Sequence, residues 1–186
     1  MAVRRIRSRR DLVLGASASA LAATWPAADA AASLTVANDR PNWRFCNKCF
    51  VMFYTPNPNQ ACAGGGKHRQ QGYRFRLPFG GRETPTAQAR WFACRNCATM
   101  SFAGYRQRGR CPANARYTTD RGHEADRTFA YVLPHDIPAT RRAQGGWRFC
   151  NKCMAMFFDG YPTKGACPAG GGHVAQGYQF VLPHEA

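Results

Sequence analysis

Nine cysteines and three of the five histidines fall into a pattern suited to binding a metal. They run as C-x2-C-x12-C-x5-H from Cys46, Cys49, Cys62 and His68, as C-x2-C-x13-C-x11-H from Cys94, Cys97, Cys111 and His123, and as C-x2-C-x13-C-x5-H from Cys150, Cys153, Cys167 and His173. Tetrahedral zinc takes thiolates and imidazole at such spacings, and four protein ligands make a closed, structural site. The expectation is up to three structural Zn2+ ions. A pure disulfide framework would leave one thiol over in every set, because three cysteines cannot all pair internally.

Two residues between the first cysteines let a tight turn aim both sulfurs at one point, and the second pair must be bent onto them from another turn. Gly64–Gly66 and Gly170–Gly172 can do the bending, since glycine adopts positive φ at little cost. The same loops also read as nests of backbone N–H groups for an anion. The middle set departs most: Asn114 replaces a glycine and the cysteine-to-histidine gap is six residues longer, so Asp120, Glu124 or Asp126 could stand in for His123. His135 and His184 follow Leu-Pro, where the first set has Phe79, and are expected at the surface rather than as ligands.

Positioning these ligands falls to a threefold repeat. "WRFCNKC" occurs at Trp43–Cys49 and at Trp147–Cys153, with a worn copy, "WFACRNC", at Trp91–Cys97. The copies span 43–79, 91–135 and 147–184. The chain divides into a leader over 1–32, repeat 1 over 33–80, a divergent repeat 2 over 81–136 and repeat 3 over 137–186. Units of this size rarely fold on a hydrophobic core alone and call for a metal or disulfide.

Each copy reads as β structure. Tyr73, Phe75 and Leu77 alternate with Arg74 and Arg76; Tyr178, Phe180 and Leu182 are expected inward, with Gln179 and Val181 outward. "WRFC" and "FVMFY" flank the cysteine turn as hairpin arms. The fold class is therefore all-β, with three small zinc-ribbon-like repeats packed as a pseudo-threefold body or, alternatively, strung as beads. The apolar strands "FVMFY" and "MAMFF" favour the packed body. Met52, Met100 and Met156 read as core filling. Trp43, Trp91 and Trp147 read as core residues too, with ligand stacking as the other reading.

The first 32 residues have a basic start and an apolar segment from Leu12 to Thr24, followed by small-residue cleavage candidates. "SRRDLVL" (Ser8–Leu14) resembles the bacterial twin-arginine export signal. This implies passage of a folded, metal-loaded protein to the periplasm, cell envelope or extracellular space. Cysteines in an oxidising compartment ordinarily form disulfides, which keeps partial disulfide bonding open as the competing state. The formal charge is +16; the leader holds five arginines and two aspartates, which leaves +13 beyond it. Such an excess points to anionic partners or simply to solubility.

The repeat resembles tandem modules of exported bacterial proteins, W-x-x-C-x-K-C … C-P-A-G-G-x-H … G-Y-x-F-x-L. "WRFCNKC" and the AGGG-plus-histidine segments of copies 1 and 3 carry the resemblance. It implies a metal-bound repeat in an exported setting and implies no reaction.

No Ser/His/Asp order, paired carboxylates or nucleophile elbow is visible in the sequence. The deaminase zinc signature is missing as well, since no C-x-x-C follows a proline. The leading expectation is a non-catalytic binding protein presenting basic and aromatic residues, among them Trp43, Arg44, Arg74, Arg76 and Trp147, to an anionic envelope polymer or glycan. The alternatives are a C-x-x-C thiol-disulfide redox protein, a zinc-ribbon nucleic-acid binder, and an open zinc enzyme site in the middle copy.

Overall fold

The computed structural model describes residues 38–114 and 121–185; the leader expected over 1–32 lies outside them. Nine strands follow in order: β1 (Asp39–Cys46), β2 (Met52–Tyr54), β3 (Gln70–Pro78), β4 (Ala87–Cys94), β5 (Met100–Phe102), β6 (Ala125–Pro134), β7 (Ala143–Cys150), β8 (Met156–Phe158) and β9 (Ala175–Pro183). They form three antiparallel sheets of identical order, β2-β1-β3, β5-β4-β6 and β8-β7-β9. Among the described residues the only helical element is a 3₁₀ turn at Pro112–Asn114, and no helix is long and apolar enough to cross a membrane.

The hairpin arms pair as their alternation requires, with Trp43 opposite Tyr54 and Phe45 opposite Met52, and β3 adds to the free edge of β1. A register shift between Arg40 and Trp43 interrupts that second ladder, with Asn42 at φ 73°. The same shift recurs before Trp91 and Trp147. A bulge of this kind turns the strand locally. The tryptophan that follows it is completely buried in all three repeats.

Three short strands are too small to bury a core by themselves, and the sheets solve this by closing on one another. The rule is cyclic: repeat 1 leans on repeat 2, repeat 2 on repeat 3 and repeat 3 on repeat 1. Trp43 meets Tyr131, Trp91 meets Phe180 and Trp147 meets Phe75, each edge to face with ring centroids 5.1–5.2 Å apart. Backbone bonds follow the same order, from the Tyr54 N–H to the Ala98 carbonyl, from Phe102 to Met154 and from Phe158 to Phe50, at 2.9–3.0 Å. The three sheets form one compact unit rather than beads. Met52, Met100 and Met156 are wholly buried in its core.

Two expectations about outward-facing residues are corrected. Val181 is buried. His135 and His184 are buried too, at 2% and 8% exposure, because each closes a joint between repeats. The His135 ring stacks on Tyr178 at 3.7 Å and the His184 ring on Tyr73 at 3.8 Å. At the third joint Phe79 meets Phe129 edge to face at 4.9 Å.

Candidate metal centres

Each sheet brings one ligand set together. The first two cysteines sit at the end of the long central strand and in the turn after it. The third cysteine comes from the loop before the last strand, and the histidine comes just ahead of that strand. In all three sets one ligand atom from each of the four residues lies within 4.8 Å of the others, and all nine cysteines are buried and free of disulfides. His123 takes its place in the middle set. Of its sequence alternatives, Glu124 accepts from the Asn96 amide at 3.4 Å and Asp126 from the Thr128 hydroxyl at 2.7 Å, while Asp120 lies outside the described residues.

The separations test whether an ion fits. A tetrahedral centre with sulfur at about 2.3 Å and imidazole nitrogen at about 2.0–2.1 Å has edges of about 3.8 Å between sulfurs and about 3.5 Å between sulfur and nitrogen. The observed edges are 3.8 Å for Cys46–Cys62 and 3.9 Å for Cys94–Cys111. The edges from Cys49 to His68 Nδ1, Cys97 to His123 Nδ1 and Cys153 to His173 Nδ1 are 3.4, 3.5 and 3.4 Å. A disulfide would bring sulfurs to about 2.05 Å. The donor sets therefore fit a four-coordinate ion whose coordination positions are all filled by protein.

Backbone N–H groups point at the sulfurs and stabilise their thiolate form: Arg69 to Cys46 at 3.4 Å, Gly64 to Cys62 at 3.3 Å and Val174 to Cys150 at 3.4 Å. The glycine loop is thus used on the ligand sulfur. Gly65, Gly66, Gly170 and Gly171 have positive φ. Lys48 and Lys152 donate to the carbonyls of Gly65 and Gly170.

Charge concentrates at these points. Hydrogen bonds from Cys49 and Cys62 hold the Cys46 thiol far below its ordinary value; Cys94 and Cys150 are held down in the same way by their neighbouring cysteines. Burial pushes the Cys49 and Cys97 thiols up. Burial also opposes a charge on the imidazoles, yet the facing sulfurs raise His68 and His173 to about 9 and His123 to about 10. Three sulfurs draw positive charge into each site, a place that a divalent cation would take.

The other ring nitrogen of each histidine does a second job. His68 Nε2 lies 3.0 Å from the Cys97 carbonyl oxygen, and His173 Nε2 lies 2.9 Å from that of Cys49. A carbonyl only accepts, so Nε2 carries the hydrogen and Nδ1 is left to offer its lone pair to an ion. The ligand of one site thereby grips the cysteine turn of the next. His123 Nε2 is buried and has no such partner among the described residues.

The candidate ligand surface is rearranged relative to the sequence expectation. Trp43 and Trp147 are completely buried and offer no ring face to a ligand. Arg76 is paired with Asp39 at 2.6 Å and with Glu185 at 3.5 Å, and Arg74 lies 3.6 Å from Glu185. Arg44 donates to the Gly72 carbonyl at 3.1 Å. The cations that sequence reasoning did not single out belong to repeat 2: Arg95, Arg106, Arg108 and Arg127 line a cavity of about 440 Å³.

No family model matches the chain, and neither curated proteins nor solved structures give a significant match.

Proposed function

We infer that the protein is an exported, non-catalytic binding protein in which three structural zinc ions hold a pseudo-threefold β body that presents basic and aromatic surface to an anionic polymer or glycan. One observation carries this reading: every site brings four protein donors within 4.8 Å of one another, with a sulfur–nitrogen edge of 3.4–3.5 Å that suits a tetrahedral ion. A zinc ion so enclosed keeps no open position for water or substrate and contributes to folding rather than to reaction. Thiolate and imidazole together suit zinc among common divalent ions. Burial of the cysteines favours ligands over exchanging dithiols, which are partly exposed where they react.

The charge and the leader support the remainder. The chain keeps a large excess of arginine and lysine over acids, and its twin-arginine-like start suits export of a folded metalloprotein. The test is retention of the mature protein on immobilised acidic envelope polysaccharide, anionic phospholipid and DNA at moderate salt. Retention on the polysaccharide is expected; failure to bind any of the three contradicts the reading.

A further inference from the structure

The three repeats serve as each other's controls, and they differ in the charge carried by the loop ahead of the third cysteine. In repeat 3 this loop reads "DGYPTKGAC", Asp159–Cys167, and Lys164 is neutralised by Asp159 at 2.7 Å. In repeat 2 the same spacing reads "AGYRQRGRC", Ala103–Cys111. Ala103 stands where the acid was, Arg108 where the lysine was, and Arg106 where repeat 3 has Pro162. In repeat 1 the loop is neutral, and Asn57 and Asn59 are spent on the carbonyls of Cys94 and Arg95. Repeat 2 thus keeps the loop, deletes its counter-ion and adds cations.

These cations surround a hollow. Arg95, Arg106, Arg108 and Arg127 line the cavity of about 440 Å³, and Glu124, bonded to Asn96, is the one acid on its wall. Arg106 and Arg108 also line a second hollow of about 490 Å³, where Arg121 and Lys152 join them. Among the described residues no ion pair engages Arg95, Arg106 or Arg108. Tyr105 lines the first hollow with 53% of its surface exposed, its ring braced on Phe102 at 5.2 Å and Phe149 at 6.0 Å.

We propose that this double hollow around Arg106, Arg108 and Tyr105 is the binding site for an acidic glycan, a chain of sugar rings bearing carboxylate or sulfate groups. The proposal rests on the functional reading above. Guanidinium forks match carboxylate and sulfate geometry. Two basic hollows sharing Arg106 and Arg108 fit charges on successive units of a polymer better than a lone ion. Single-stranded nucleic acid is held by a succession of stacking rings along a basic groove, whereas Tyr105 is the one exposed large ring lining either hollow.

The test is titration of the zinc-loaded protein with a heparin-derived oligosaccharide, comparing native protein, the pair Arg106→Glu and Arg108→Glu, and the charge-matched pair Arg141→Glu and Arg142→Glu in the linker. Zinc content and circular dichroism establish folding. The cleft pair is expected to weaken binding about tenfold or more, and the linker pair by less than about threefold. Equal weakening by both pairs overturns the proposal and leaves the functional reading standing, because diffuse charge would then suffice. A native protein that binds no acidic glycan contradicts both. Tighter binding of a single-stranded oligonucleotide of equal charge overturns the glycan assignment. Should the cleft pair fold poorly, Arg106→Gln alone removes one exposed charge and is expected to weaken binding about threefold; no change with that variant overturns the proposal.

Discussion

His68 of repeat 1 and Cys97 of repeat 2 are joined by a hydrogen bond from the imidazole Nε2 to the Cys97 backbone carbonyl, 3.0 Å long. Both residues belong to ligand sets, so the bond ties one metal centre to the next. Such outer partners orient a ligating ring and hold its tautomer.

His68→Cys separates the ligand from the tie. Four thiolates still bind zinc, so metal content is expected to stay at the native level. The lost bond to Cys97 should lower unfolding free energy by about 0.5–1.5 kcal/mol. Denaturant titration alongside metal analysis reads both quantities; unchanged stability would contradict a role for the tie.

His123 gives the opposite expectation. Among the described residues its buried Nε2 has no partner, so His123→Cys removes no Nε2 hydrogen bond and also removes an unsatisfied polar group. The change should cost less than His68→Cys or His173→Cys, by about 1 kcal/mol. Parallel unfolding curves of the three variants decide it.

Gly165 lets one repeat approach the cysteine turn of another. It has φ +63°, and a Cβ there would sit 2.7 Å from the Cys49 carbonyl oxygen. At Gly177, φ +68°, a Cβ would meet nothing within 4 Å. Gly177→Ala should cost only the left-handed penalty of about 1–2 kcal/mol, and Gly165→Ala about 1–3 kcal/mol more. Equal losses would show that the close approach is unimportant.

The ring clasps should be measurable as well. Tyr73→Ala removes the stack on His184 and Tyr178→Ala the stack on His135, although both tyrosines are about half exposed. Each is expected to cost about 0.5–1.5 kcal/mol beyond its lost area, more than an exposed tyrosine without a partner would. Thermal unfolding of the two variants checks this.

The ligand sets are legible in the sequence because thiol and imidazole at fixed spacing have few other uses, and the hairpins because apolar residues alternate across the cysteine turn. The ties are not legible. Every residue has a carbonyl, so no letter marks Cys97 or Cys49 as an acceptor. His135 and His184, taken singly, read as surface residues; the informative signal is that a ring, Phe79 in the first copy, occupies the same place in all three. Arg74 and Arg76 lie on a strand as their alternation says, but both counter-ions fall outside the copies: Asp39 reaches Arg76 across the β1–β3 pairing of the same sheet, and Glu185 reaches both arginines only when repeats 1 and 3 close. The basic hollow of repeat 2 becomes visible once the fold shows which arginines have lost the acid their counterparts keep.

The central claim is that each four-donor set holds an ion without which these small sheets do not persist. Structural zinc contributes roughly 10–16 kcal/mol of apparent binding energy in small zinc peptides, and that energy becomes folding energy. The most direct measurement counts metal and thiols per chain on native protein before and after exhaustive chelation, with circular dichroism recorded alongside. The expected result is three zinc ions, nine thiols that react only after chelation, and loss of the folded spectrum as the metal leaves. A spectrum unchanged after complete metal removal, or cross-linked sulfurs with no bound ion, would contradict it.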